Sequence, residues 1–557
     1  MTENNAELVF LPLGGAGEIG MNLNAYGYGP EEARRWIIVD IGVTFGREDT
    51  TPGVELILPD PSFLETEDVL AIVLTHAHED HIGAIAWLWP RFKVPVYATP
   101  FTAALVREKL KERGLAGEVP IRVLELGGAA EIGPFNIELL TLTHSIPEPN
   151  GLAIRTPLGL VWHTGDWKID PDPLVGAVTD AAGVRALGDE GVLAMVCDST
   201  NVFVEGESGS EAGVRESLVE LVKGRKGKVA ITAFASNVAR LETAITAAQA
   251  SGRSVCLVGR SMHKIVRAAQ SVGLLTDAPP FLDEEDAGFL PPQSVLYLCT
   301  GSQGEARAAL SRIAGGSHRN VSLGKGDTVI FSSRMIPGNE ASIHALIDQL
   351  QARAIDVITA NEAHTHVSGH PAREELKQMY QWARPRIAVP VHGERRHLIE
   401  HAALAQALQI PQSLVVKNGD LIRLAPGEAA VIDEVPAGRL HVDGEVLVAA
   451  ESEALQDRRR LATEGAITVS LAISEKRGAI VSGPDIRARG LPMASEEAFE
   501  TALDMLAQAA EDAYLRLDAR ARGDDEAAEQ AVIRAVRKAS ERVFKKRPLV
   551  DAIVLLV

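Results

Sequence analysis

The chain has 557 residues, enough for about three to four structural units at roughly 150 residues each, and its 46% apolar and 23% charged residues are ordinary for a globular protein. No apolar run approaches the ~20 residues that span a bilayer, and the opening MTENNAELVF lacks a secretion signal, so no membrane association and a cytoplasmic location are expected. With 55 basic against 75 acidic residues, net −20, a generally basic surface is excluded as the means of holding nucleic acid; a cleft whose field is set by bound cations is not.

Residues 1–205 are strand-rich: LVFLPL, WIIVD, VLAIVLT, FNIELLTL, LAIRTPLGLVWHT and VLAMVC alternate with Gly, Pro and Asp turns, and a helix is expected over 101–113. Early in this stretch GAGEIG, residues 15–20, satisfies the dinucleotide pattern G-x-G-x-x-G, with Asp40 where a ribose-binding acid would stand. The following MNLNAYGYGPEEARRW carries two Gly and a Pro without an amphipathic stripe, so the helix that should receive a pyrophosphate is missing. The glycines read instead as a turn between strands, or as backbone on the rim of a nearby active site.

From 206 to 354 strand and helix alternate four times, which predicts a parallel sheet wrapped by helices. Over 355–450 a strand (IDVITA), a helix (AREELKQMYQWA), the strand RIAVPVH and a further helix resume the first region. The charged stretch 451–465 reads as a linker or docking helix, and 466–557 as a small α/β domain of two strands, two helices and a last strand. Cys197, Cys256 and Cys299 sit apart inside apolar runs and read as core residues. Arg534, Arg537, Lys538, Arg542, Lys545, Lys546 and Arg547 gather on one C-terminal helix, either a solvated face or a contact for RNA phosphates or an acidic partner.

The segment Thr75-His76-Ala77-His78-Glu79-Asp80-His81 places four ligand-type side chains within six residues, between an apolar strand and a helical run. Imidazole and carboxylate without thiolate suit zinc or manganese, and the number of donors suggests two ions. Further donors stand at strand ends, His144 after FNIELLTLT, Asp166 after LVWHTG and His392 after RIAVPV, and complete seven ligands, enough for two ions bridged by one carboxylate.

This H-x-H-x-D-H run, followed by a further His, an Asp and a final His, resembles the metallo-β-lactamase superfamily. The 226 positions between Asp166 and His392, filled by the strand–helix repeats, resemble its β-CASP branch, whose members cut nucleic acids. Asp198 in CDSTN matches that branch's motif A, His370 in THVSGHP its motif B and His392 in PVHGE its motif C; Pro371 stands where a small residue such as Ala is expected. Within the branch, GGAGEIGMN, CDSTN, TAFASN, GSQGEARAALSRIA, FSSRMIPGNE and HVSGH resemble bacterial ribonuclease J over essentially the whole chain.

The resemblance implies an αββα sandwich with an inserted β-CASP parallel α/β domain and a small C-terminal α/β domain. It implies two divalent ions, one on His76, His78 and His144, the other on Asp80, His81 and His392, with Asp166 between them. Asp80, His370 and Asp198 are expected in catalysis, with His370 the candidate proton donor to the departing oxygen and Asp198 holding its ring; a purely structural hydrogen bond is the alternative for that pair. The resemblance also implies 5′-to-3′ exonucleolytic and internal cutting of single-stranded RNA, a preference for 5′-monophosphate ends, a role in rRNA processing and mRNA decay, a homodimer or higher oligomer, and protein partners in RNA decay. The terminal phosphate is expected against Ser368, Gly369 and His370 at a helix entrance, with His366 and Val367 beside it and Ser236 and Asn237 facing it; simple N-capping is the alternative for the last two. Asp40 either orients a ligand histidine or belongs to an ordinary turn. A small-molecule hydrolase of the same core has no use for the inserted domain or His370, and a DNA-cutting relative lacks the ribonuclease J segments.

Overall fold

Burial that is almost continuous along the central strands, as in Glu7–Gly14, Leu23–Gly29 and Ile387–Val391, gives each sheet two covered faces and so dictates a layered arrangement. The computed structural model describes residues 5–46, 50–336 and 339–557; residues 1–4 of the opening segment and Pro337 and Gly338 of FSSRMIPGNE lie outside them. Two compact units are present, one of Met1–Thr44 with Leu58–Gly438, the other of Phe45–Ile57 with Arg439–Val557.

In the first unit an eight-stranded sheet runs in the order Ala430–Glu434, Asp420–Ala425, Glu7–Gly14, Leu23–Gly29, Arg35–Val39, Asp68–Val73, Val96–Ala98 and Ile121–Val123. A seven-stranded sheet runs in the order Ala129–Ile132, Phe135–Thr141, Asn150–Thr156, Gly159–His163, Val192–Asp198, Ile387–Val391 and Gln412–Ser413. Phe10, Tyr26, Ile37 and Val73 of the first sheet form one buried core with Ile137, Ile154, Val161, Val196 and Val389 of the second. The intervening residues of the second sheet, Leu140, Ala153, Trp162, Met195 and Ala388, face the other way and pack with Val184 and Leu187 of helix Ala181–Glu190 and with Leu376, Met379 and Tyr380 of helix Arg373–Ala383. On the first sheet Trp36, Ile38 and Ile72 are buried at the alternate positions, and helices Ile85–Phe92 and Pro100–Glu112 bury Leu88, Phe101 and Val106. The expected four layers are therefore present.

The inserted region folds as an all-parallel sheet in the order Ser254–Val258, Val295–Cys299, Val229–Thr232, Thr328–Phe331 and Asp356–Ile358, with its own core. All three cysteines are buried and free. The strand expected to resume the first region at 355 instead completes this sheet, because Val357 and Ile358 pair with Val329 and Ile330; the chain returns to the seven-stranded sheet only after it. The glycine-rich run 15–20 leads not into a helix but, through Asn22, into the strand Leu23–Gly29.

In the second unit, strand Ala466–Ile473 lies between Ile480–Arg489 and Leu549–Leu556, and helices Glu496–Leu515 and Asp525–Phe544 cover one face through Leu506, Tyr514, Val532 and Val536. The stretch read as a linker or docking helix forms the helix Glu453–Glu464, whose Arg458 pairs with Asp443 at 2.7 Å. Of the C-terminal cations, Arg547 pairs with Glu541 at 2.8 Å and Lys546 donates to the Thr463 carbonyl. Among the described residues no helix is long and apolar enough to cross a membrane.

Gly151 gives the sandwich a test. A Cβ placed on it would fall 2.2 Å from the buried Trp162 ring, so Gly151→Ala forces the indole off its rotamer. Overpacking of this kind costs about 1–3 kcal/mol. Denaturant unfolding should show the midpoint falling by that energy divided by the slope, with the slope unchanged.

Candidate metal centre

The parallel strands Gly159–His163, Val192–Asp198 and Ile387–Val391 end on one edge of their sheet, and Phe135–Thr141, two antiparallel steps from the first of them, ends there too. Asp166, Asp198, His392 and His144 stand at or just past these four ends. Facing them, the parallel strands Arg35–Val39 and Asp68–Val73 deliver Asp40 and the segment 75–81. Three overlapping groups result that could hold metal ions: His76, His78, His144 and Asp166; Asp80, His81, Asp166 and His392; and Asp166, Asp198, His370 and His392. In each, one ligand atom per residue lies within 4.8 Å of the others.

Hydrogen bonds behind the imidazoles fix which nitrogen faces the centre. Asp40 accepts from the Thr75 amide at 2.8 Å, the Thr75 hydroxyl at 2.8 Å and His81 Nδ1 at 2.7 Å. The Thr75 hydroxyl, its proton given to Asp40, can only accept from His76 Nδ1 at 3.0 Å. His144 Nδ1 donates to the Gly369 carbonyl. His76 and His144 are therefore left with bare Nε2 atoms turned inward, and His81, held at Nδ1 by Asp40, turns its Nε2 to the same centre. Asp40 has a left-handed backbone (φ 63°), as does His392 (φ 51°), whose amide donates to the Gly15 carbonyl at 2.7 Å. The GAGEIG run thus backs the centre from outside.

The donors fit a cation better than they fit one another. His76 Nε2 and His144 Nε2 stand 3.1 and 3.0 Å from His78 Nδ1, three imidazole nitrogens converging with at most one proton among them. Burial, followed by the neighbouring imidazoles, pushes His76 and His144 well below the ordinary histidine range, and burial brings His78 down to about 4, so all three are neutral ligands at pH 7. On the other side Asp166 Oδ2 lies 3.1 Å from His81 Nε2, and Asp80 Oδ2 3.2 Å from His392 Nε2. Burial opposes the charge on Asp166, but His392 and His81 outweigh it and hold the carboxyl at about 2. Four carboxylates, Asp40, Asp80, Asp166 and Asp198, around one largely buried centre require compensating positive charge.

His370 stands apart. Its Nδ1 lies 2.8 Å from Asp198 Oδ2 while its side chain is 23% exposed. Burial would lower its pKa, but Asp198 and then Asp166 raise it. Asp198 in turn accepts from the Thr200 amide and hydroxyl at 2.8 and 2.7 Å.

Residues 364–370 form a loop tied on both sides. Toward the sandwich, Gly369 receives His144, and a Cβ there would fall 2.8 Å from that ring. Asn201 donates to Ser368 Oγ at 2.7 Å and to the His370 carbonyl at 3.1 Å. Toward the inserted sheet, fully buried Arg240 donates to the Thr365 carbonyl at 2.9 Å and to Ser332, and pairs with buried Glu211 at 2.8 Å. His366 Nδ1 is buried without a partner among the described residues; burial first, then Arg240, Lys168 and Arg334, push its pKa well down. Val367 is buried. Asn237 is occupied as an N-cap, accepting from the Arg240 amide at 2.9 Å, while Ser236 beside it is half-buried.

Sequence reasoning passed over Asn22, Gly42, Thr200, Asn201 and the Glu211–Arg240 pair. Gly42 is required because a Cβ would fall 1.7 Å from the Asp80 carbonyl oxygen. A glycine two residues after Asp40 was the only signal, and it is a weak one. His163, left unassigned by sequence, is buried and meets Tyr26 Oη at 2.9 Å.

Comparison with known proteins gives the family and the domains of the chain. Residues 226–350 match the family model described as ribonuclease J, beta-CASP domain; 453–557 the ribonuclease J C-terminal domain; 355–414 a Zn-dependent metallo-hydrolase RNA specificity domain; and 35–195 a beta-lactamase superfamily domain. The chain is 47% identical to the ribonuclease J of Sinorhizobium meliloti, over 99% of this chain and 98% of that one. It is 39% identical to that of Corynebacterium glutamicum, over 98% of this chain and 75% of the other, and 37% identical to that of Thermus thermophilus, over 84% and 82%. A crystal structure titled a protein of unknown function from Enterococcus faecalis superposes with a TM-score of 0.53 at 16% identity, over 75% of this chain and 100% of that one, a likeness of fold alone.

The Asp40 carboxylate is testable without any substrate. Asp40→Asn keeps the shape but replaces an acceptor oxygen with a donor, which faces His81 or Thr75 wrongly. Metal affinity should fall about 10- to 100-fold in a competitive chelator titration.

Proposed function

Since the chain belongs to the ribonuclease J family and is a metal-dependent ribonuclease, we propose that it degrades single-stranded RNA from the 5′ end and also cuts it internally, by hydrolysis at a two-metal centre. The observation that carries this reading is the convergence of seven ligand-type side chains with His370 and Asp198 beside them. His76, His78 and His144 would hold one zinc or manganese ion and Asp80, His81 and His392 the other, with Asp166 shared. When bound, such ions supply charge that acidifies an attacking water and neutralises phosphoryl oxygens.

The protein's own groups do the rest. Asp40 and Thr75 hold His81 and His76 in the tautomers that present Nε2, and Gly369 does the same for His144. Asp198 keeps His370 protonated by accepting from Nδ1, which leaves Nε2–H to donate to the departing 3′ oxygen. Asp80, at the outer end of the cluster, is 31% exposed and so stands beside the path of the scissile phosphate.

A terminal 5′ phosphate fits the loop 366–370. Ser368 Oγ, the Gly369 amide and His370 lie at the entrance of helix Arg373–Ala383, and Ser236 is the candidate on the inserted side. Pro371 offers no amide, so the contacts fall to the residues before it. His366, buried among Arg240, Lys168 and Arg334, supports an anion nearby. Asn237 is committed to capping its helix through the Arg240 amide, so Ser236 beside it is the residue left for this pocket.

We assign 1–205 and 355–450 to the catalytic core, 206–354 to the insertion, 451–465 to a connecting segment and 466–557 to a C-terminal domain, with the strand 356–358 as an extension of the insertion. That last domain supports a homodimer, or a higher oligomer. Turnover of rRNA precursors and mRNA in the cytoplasm, beside other RNA-decay proteins, is the setting this activity fits.

Two measurements test the proposal. His370→Ala should lower single-turnover cleavage of labelled RNA by about 10²- to 10⁴-fold while leaving bound metal unchanged, whereas Asp80→Ala should lose both; a variant of either residue that cuts at the parental rate refutes the mechanism. Substrates bearing a 5′ monophosphate should be shortened faster than matched 5′ triphosphates, and equal rates would dismiss the terminal-phosphate pocket.

A further inference from the structure

The inserted sheet carries a second recess, outside the metal centre. At the C-terminal end of its edge strand Ser254–Val258 lies a cavity of about 250 Å³, opening where Gly259 turns the chain into helix Arg260–Ser271. Gly259 has φ 114°, and a Cβ on it would fall 2.7 Å from Thr300 Oγ1, so the turn brings bare backbone to the cavity. No side chain caps this 12-residue helix, which leaves its first amides open. The C-terminal ends of parallel strands with a helix N-terminus beside them are where α/β sheets hold anionic ligands.

The side chains around the recess point the same way. Arg260, Arg312 and Arg319 line it, and none has an ion-pair partner among the described residues. Glu284 is the one acid in the lining, so the arginines leave a surplus of two positive charges. In a chain of net charge −20, whose other arginines often pair with carboxylates, as Arg155, Arg225 and Arg373 do, three unpaired guanidiniums around one cavity are not an average surface. His318 adds a directed donor. Its side chain is 5% exposed; Nδ1 accepts from the amides of Val321 at 3.2 Å and Asn320 at 3.4 Å, which puts the proton on Nε2. The nearest acid, Glu284 Oε2, lies 3.9 Å from Nε2, beyond hydrogen-bond reach, so among the described residues this N–H at the cavity wall has no protein acceptor. Burial lowers the pKa of His318, which keeps the ring a neutral donor.

We infer that this cavity binds the phosphate group of a nucleotide, taken either as a free nucleotide or as one unit of an RNA strand. Arginine forks and helix amides match phosphoryl oxygens in geometry and charge, and His318 Nε2–H would supply a further bond from the cavity wall. The inference does not depend on the chain cutting RNA.

Isothermal titration of full-length, metal-loaded protein tests it with two probes, ADP and a 5′-hydroxyl hexauridylate whose phosphorothioate linkages resist cleavage. The wild-type protein should show, for at least one probe, a saturable site that Arg260→Gln with Arg312→Gln weakens about tenfold or more. A loss confined to ADP assigns the cavity to free nucleotides; a loss for the oligonucleotide assigns it to the RNA strand. Both arginines are exposed, so the variant should melt with the wild type; Arg319→Gln alone serves if it does not. Equal affinities of wild type and variants for both probes, or no saturable binding of either, overturn the inference.

Discussion

Four carboxylates and six imidazoles drawn into one largely buried centre constrain everything around them. A single uncompensated ion in a protein interior costs several kcal/mol, which is a large part of a domain's stability, and here the hydrogen bonds behind the cluster, from Thr75, Thr200 and the Gly369 carbonyl, hold the groups in place without neutralising their charge. Cations are therefore part of the fold's energetics as well as its chemistry. That is also why a strongly acidic chain can act on a polyanion: net charge describes the whole surface, while the cleft is governed by the ions it gathers.

The loop 364–370 links the sandwich to the inserted sheet. On one side it is held by His144 and Asn201, on the other by Arg240, whose own charge is met by Glu211 in the interior. Breaking such a buried pair leaves an unpaired charge at a cost of about 3–5 kcal/mol, far more than a surface bridge such as Lys223–Glu220 supplies. The inserted domain thus reaches His370, the proposed proton donor, through the same few residues that flank the proposed phosphate pocket.

The cluster H-x-H-x-D-H was legible because its members are neighbours in the chain, and Asp166, Asp198 and His392 because side chains at the ends of parallel strands share an edge. The supports were not. Gly42 is forced by the Asp80 carbonyl, 38 positions away, and Asn201 by a loop more than 160 residues downstream, contacts that leave no local pattern. The strand Asp356–Ile358 was misplaced for a related reason: apolar periodicity gives its type but not which sheet it joins. Likewise Phe45–Ile57 carries no mark that it groups with the C-terminal unit.

The left-handed backbone at His392 narrows what protein engineering could do with the site. Besides glycine, asparagine and aspartate adopt that conformation most readily, as histidine does, and of these only aspartate brings a charged oxygen donor. Exchanging this position to recruit a harder ion, with magnesium as the target, therefore has aspartate as its least strained route, whereas glutamate or cysteine would carry roughly 1–2 kcal/mol of backbone strain.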